Sequence, residues 1–154
     1  HKSLKENRKN SKIIIKCIWK NSGEKLDFFM SETGRYSTLN DFIDNDIKSM
    51  PANNELRKKN GKLITVDTIS LNDVVKEYFN NNCPSYISID TEGSEYEILK
   101  TFNLNDYRPK LFTIEHNYTE NESKIDDFLI THNYVRIFRK LTSFDAWYVP
   151  SEIL

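Results

Sequence analysis

Strand and helix signals alternate through the second half of the chain and predict an α/β domain with a mostly parallel sheet. Three observations carry this. Short apolar or alternating runs recur between Leu63 and Val149. Ser/Thr-led capping signals precede a helical pattern after three of these runs. Strands separated by helices run parallel, because a parallel neighbour is reached only through a crossover. A length of 154 residues suits one domain, and 12% aromatic residues argue against disorder. Charge is balanced at 22 Lys+Arg against 23 Asp+Glu, which gives no basis for clamping a nucleic acid. No apolar run approaches the ~20 residues needed to span a bilayer.

The elements follow in order. His1–Asn10 is Lys- and Asn-rich with a lone Leu4, as at the exposed end of a helix. Ile13–Ile18 is a β-branched run, read as a buried strand. Asn21-Ser22-Gly23-Glu24 turns the chain into a second strand at Leu26–Met30. Ser31–Lys62 is polar and unpatterned, a long excursion with one helical turn. Leu63–Ile69 alternates as a strand, and Ser70-Leu71-Asn72-Asp73 opens a helix that Asn80–Asn82 and Pro84 stop. Tyr86–Asp90 is the next strand, with Ser94-Glu95-Tyr96-Glu97 as a capping box for a helix reaching Phe102. Leu111–Glu115 is a strand, and Thr119-Glu120-Asn121-Glu122 caps a helix whose apolar face holds Ile125, Phe128 and Leu129. Tyr134–Phe138 and Phe144–Val149 close the chain as an antiparallel pair. Cys17 and Cys83 stand alone, without metal-ligand spacing, and read as reduced thiols of a cytoplasmic protein.

In such sheets ligands bind beyond the carboxyl ends of the strands. The densest stretch there is ISIDTEGSEYEILKTF, residues 87–102, with Asp90, Glu92 and Glu95 within six positions. Gly93 permits a tight turn, and the following helix N-terminus favours negative charge. The plainer reading is an Asx turn at Asp90, with Glu95 and Glu97 complementing the helix dipole.

Asp90-x-Glu92-Gly93-x-Glu95, after an apolar strand and before Ile98-Leu99-Lys100, resembles the signature of the FkbM-type methyltransferase family. VDTISLNDV at 66–74, Arg108-Pro109 before Leu111–Glu115, and Phe128-Leu129 before Asn133-Tyr134 resemble further family elements in the same order. The resemblance implies a Rossmann-like class I methyltransferase fold using S-adenosylmethionine on hydroxyl groups of sugars or secondary metabolites. The family's glycine-rich turn and the acidic residue after its second strand find no counterpart, since each of the four glycines stands alone. The expectation is therefore a single methyltransferase domain over residues 1–154, N-terminally truncated by its first strand–helix units and inactive alone. Ser88 and Thr101 depart from the residues common in the family.

Carried over position by position, the resemblance makes Asp90 and Glu92 catalytic and cofactor-binding candidates, near the sulfonium and the acceptor. Glu115 and His116 would border the same crevice, with His116 a candidate base. Cys17 and Ile18 would lie near the adenine. Ser31–Lys62, with Arg35, Tyr36 and Phe42, would be a lid over a small-molecule or glycan acceptor. Asp90, Glu92, Glu115 and His116 suit Mg²⁺ or Mn²⁺ by type, but carboxylates gather at strand ends without metal, and none is assigned. The alternatives are a non-catalytic Rossmann-like module and a metal-dependent nucleotide-sugar transferase.

Overall fold

A computed structural model of the chain describes residues 10–154. The expected helix over His1–Asn10 falls, apart from Asn10, outside the described residues. Its strands are β1 (Cys17–Trp19), β2 (Lys25–Met30), β3 (Thr38–Leu39), β4 (Lys62–Ser70), β5 (Tyr86–Ile89), β6 (Leu111–Glu115), β7 (Tyr134–Ile137) and β8 (Asp145–Pro150). Its α-helices are α1 (Pro51–Lys58), α2 (Leu71–Phe79), α3 (Glu95–Leu99) and α4 (Asn121–Thr131).

The strands form two four-stranded sheets, ordered β1-β4-β2-β3 and β5-β6-β8-β7. This corrects the expectation of one mostly parallel sheet. Among the described residues only β1–β4 and β5–β6 pair parallel; the other four pairings are antiparallel. The reason lies in β4, which was expected to share one sheet with the strands that follow it. Its outer length pairs with β2 over six positions, from Lys25↔Asp67 to Met30↔Lys62. The turn before β2 is tied to its other end. Thr68 Oγ1 donates to Asn21 O (2.8 Å) and accepts the Glu24 amide (3.0 Å), while Ser22 Oγ accepts the Ser70 amide (2.8 Å). Those bonds bring the turn onto β4, and β1 follows on its far side.

The second sheet agrees with the sequence more closely. The β5–α3–β6 crossover is parallel, and β7 and β8 pair antiparallel, as expected for the last two strands. Helix α2 starts where Ser70 indicates, with Ser70 Oγ accepting the Asp73 amide at 3.1 Å, and ends at Asn80 in the left-handed region. The main core lies between this sheet and its helices, around Ile89, Leu99, Phe112, Ile114, Ile125 and Leu129. Phe112 is fully buried and meets Phe102 and Tyr134 edge-on, at centroid distances of 6.3 and 5.4 Å. Phe112→Ala should lower unfolding free energy by about 3–5 kcal/mol through lost burial and an unfilled cavity. Chemical denaturation measures this.

The excursion between β2 and β4 departs furthest from expectation. It holds β3, a 3₁₀ turn at Asn40–Phe42, and the two-turn helix α1, which starts with Pro51 at its first position. Helix α1 buries Asn54 and Arg57, while its Leu56 is exposed.

Candidate functional site

The site grows out of the turn between β5 and α3. Glu95 is buried, and its Oε1 accepts the Thr91 amide (2.8 Å), the Thr91 hydroxyl (2.9 Å) and the Gly93 amide (3.0 Å). Glu95 therefore builds the turn and does not point to a ligand. The expected capping by Ser94 does not occur: its hydroxyl donates to Thr91 Oγ1 instead, at 2.9 Å. Within the turn Glu92 has φ +59° and Gly93 φ +122°, both in the left-handed region. A Cβ at position 93 would lie 2.7 Å from Asn45 Cγ, so glycine is needed for space as well as conformation.

This turn and the end of β6 bring three carboxylates together. Asp90, Glu92 and Glu115 each offer an oxygen, all within 4.8 Å of one another, a spacing that one cation could bridge. Burial pushes Glu115 up to about 9, and the neighbouring Asp90, Glu92 and Glu95 add to the rise. Burial also raises Asp90, against a hydrogen bond with Glu115. Glu92 is pushed up to about 7 by burial, with the Arg57 guanidinium opposing. With Glu115 pushed up to about 9, its carboxyl holds a proton at neutral pH, beside Asp90. Among the described residues Glu115 Oε2 is buried without a hydrogen-bond partner.

The cation beside the cluster is Arg57, which no motif in the sequence singles out. Its Nη2 donates to Glu92 Oε2 at 2.8 Å, and it pairs with buried Asp46 at 2.5 Å. The only signal in the sequence was Pro51 at a helix start, and it points to a helix, not to an arginine.

Cys17 and Ile18 do come together with Asp90. They line one cavity of about 270 Å³ with Phe28, Leu39, Thr91 and Ser94, among others. Glu92 is not part of that lining. Burial raises the Cys17 thiol to about 11, so it is not a nucleophile at neutral pH. The structure does not bring His116 into the carboxylate cluster. His116 is buried, its Nδ1 accepts the Tyr118 amide (3.1 Å), and its Nε2 faces Arg136 Nη2 at 3.3 Å. Burial lowers its pKa, although Glu122 opposes this. Its neighbours belong to a second network, in which Asp126 takes hydrogen bonds from Tyr148 (2.6 Å), Arg136 (3.2 Å) and Arg139 (2.5 Å). Of the lid candidates, Tyr36 meets Arg57 through its carbonyl, and Phe42 packs edge-on against Trp19.

A family model for the methyltransferase FkbM domain matches residues 2–144. The chain belongs to the FkbM methyltransferase family. No curated protein and no solved structure matches the chain. The FkbM match takes in Asp90, Glu92, Glu115 and also Arg57, so the excursion that carries Arg57 lies inside the matched domain. No helix among the described residues is long and apolar enough to cross a membrane.

Proposed function

We propose that this FkbM-family protein is an S-adenosylmethionine-dependent O-methyltransferase acting on a hydroxyl of a sugar or secondary metabolite. The observation that carries the reading is the charge balance at the strand ends. Exposed Asp90 and half-buried Glu92 and Glu115 converge there, and among the described residues the one guanidinium on the cluster is already shared with Asp46. With Asp46 and Glu92 sharing Arg57, Asp90 adds a negative charge that suits a cationic ligand. When bound, S-adenosylmethionine supplies an electrophilic methyl group on a sulfonium. Asp90, Cys17 and Ile18 would hold it, since they line one cavity.

The chain's own residues supply two further parts. Asp90 takes the acceptor's hydroxyl proton as its oxygen attacks, because it lines the cavity with Cys17 and Ile18 and desolvation raises its basicity. Glu92 lies beside it on a turn that Glu95 and Gly93 fix, which holds the reacting groups in orientation. Incubating the full-length protein with methyl-labelled S-adenosylmethionine and a panel of sugar and polyketide alcohols should yield a labelled ether. Failure across the panel, together with no cofactor binding by calorimetry, would favour a non-catalytic module. Transfer of a sugar instead of a methyl group, dependent on Mg²⁺, would favour the nucleotide-sugar alternative.

A further inference from the structure

We propose that Arg57 is the positioning residue of the strand-end site, holding the Glu92 carboxylate in place and docking the segment from Tyr36 to Lys58 onto the turn. Arg57 is fully buried. Nε donates to Tyr36 O (2.9 Å), Nη1 to Ile43 O (3.1 Å) and Asp46 Oδ1 (2.5 Å), and Nη2 to Asp46 Oδ2 (3.3 Å) and Glu92 Oε2 (2.8 Å). A guanidinium has five N–H donors, and here each has a partner. Four of the five acceptors lie within the excursion itself. The fifth is the carboxylate of the candidate site, 35 residues further along the chain.

Two independent contacts show that the excursion and the turn are fitted to each other. Thr38 Oγ1 donates to Glu92 O at 2.9 Å, so Glu92 is gripped at its backbone as well as its side chain. Asn45 fills the space beside Gly93, where a Cβ would lie 2.7 Å from its Cγ. The turn thus meets the excursion at three points: Thr38, Asn45 and Arg57. Glu92 sits at φ +59°, a conformation costly for a residue with a Cβ, and external partners must hold it there. A guanidinium held by Asp46 and two carbonyls has a fixed orientation. It therefore presents Nη2 to Glu92 in one geometry, which a flexible ammonium would not do.

This inference rests on the methyl-transfer reading only for its rate measurement. The test uses Arg57→Lys, Glu92→Gln and the double variant in the full chain. Amide hydrogen exchange and the side-chain carboxyl ¹³C resonance of Glu92 are read alongside labelled-methyl transfer. In Arg57→Lys the amides of residues 36–46 and 91–93 should exchange at least tenfold faster together, and the Glu92 resonance should move. Transfer should fall at least tenfold in kcat with little change in the KM for S-adenosylmethionine, and the double variant should be no slower than Glu92→Gln alone. Faster exchange confined to residues 36–46, with the Glu92 resonance unmoved, would reduce Arg57 to a staple of the excursion and overturn the proposal. Losses that add fully in the double variant would overturn it as well. If no variant, wild type included, transfers methyl groups, the methyl-transfer reading falls, and the exchange and resonance results still decide the role of Arg57.

Discussion

Asp90→Asn is expected to slow methyl transfer by ~10²–10⁴, the span typical of losing a general base. The substitution keeps the size and planarity of the side chain, and its amide can still hydrogen-bond to Glu115. It removes the two properties assigned to Asp90: a lone pair able to take the acceptor's proton, and negative charge at the cavity shared with Cys17 and Ile18. Melting temperature should change little, because burial already disfavours the charged form in the wild type. His116→Gln should cost much less activity. Its Nδ1 is already occupied by the Tyr118 amide, and its other face meets Arg136, so it has no free lone pair toward the carboxylate cluster. Initial rates of label transfer at saturating cofactor measure both variants. Near-normal rates in Asp90→Asn combined with a large loss in His116→Gln would move the proton transfer to the network around Asp126.

The contrast between these two residues shows what the sequence could reveal. Asp90 was legible because an apolar strand followed by acidic residues and glycine is a local pattern, and β5, the turn and α3 realise it. His116 follows β6 in just the same way, yet the chain after it turns back through Asn117 and Tyr118, both at positive φ. Those two conformations place the Tyr118 amide on the imidazole, and nothing in the residue types announces this. Helix α1 was illegible for a different reason. PANNELRK has no apolar stripe, and the side chains it buries are Asn54 and Arg57, so hydrophobic periodicity had nothing to find. Its stability comes from hydrogen bonds to Ile43 O, Asp46 and Glu92, partners fixed only when the excursion folds over the turn. The division into two sheets was hidden likewise. Local pattern marks a strand but not its neighbour, and the six-pair ladder between β2 and β4 is a tertiary choice.

Stability should fall as pH rises from about 5 to about 9, and Glu115→Gln should remove much of that fall. In the unfolded chain Glu and Asp ionise near ~4. In the folded chain burial raises Asp90 and pushes Glu92 to about 7 and Glu115 to about 9. Folding therefore takes up protons in this interval, and stability present below the unfolded pKa is lost as pH passes through the folded values. The loss levels off only once the pH is well above about 9, where Glu115 is ionised in the folded state as well as the unfolded one. The carboxylates of the opposite kind act at the acid end. Asp126 is lowered despite its burial by hydrogen bonds from Tyr148 and Arg139, so its contribution is present at neutral pH and disappears in acid. Stability should then peak on the mildly acidic side of neutral. Partial exposure of the cluster screens much of its charge, so the drop between pH 6 and pH 9 should be about 1–2 kcal/mol, roughly 3–6 °C in a domain of this size. Glu115→Gln keeps the planar side chain and a donor for Asp90 but cannot ionise. Its melting temperature should exceed that of the wild type at pH 9 and match it near pH 5. Parallel melting curves across the whole range would show that the three carboxylates do not share protons as their burial implies.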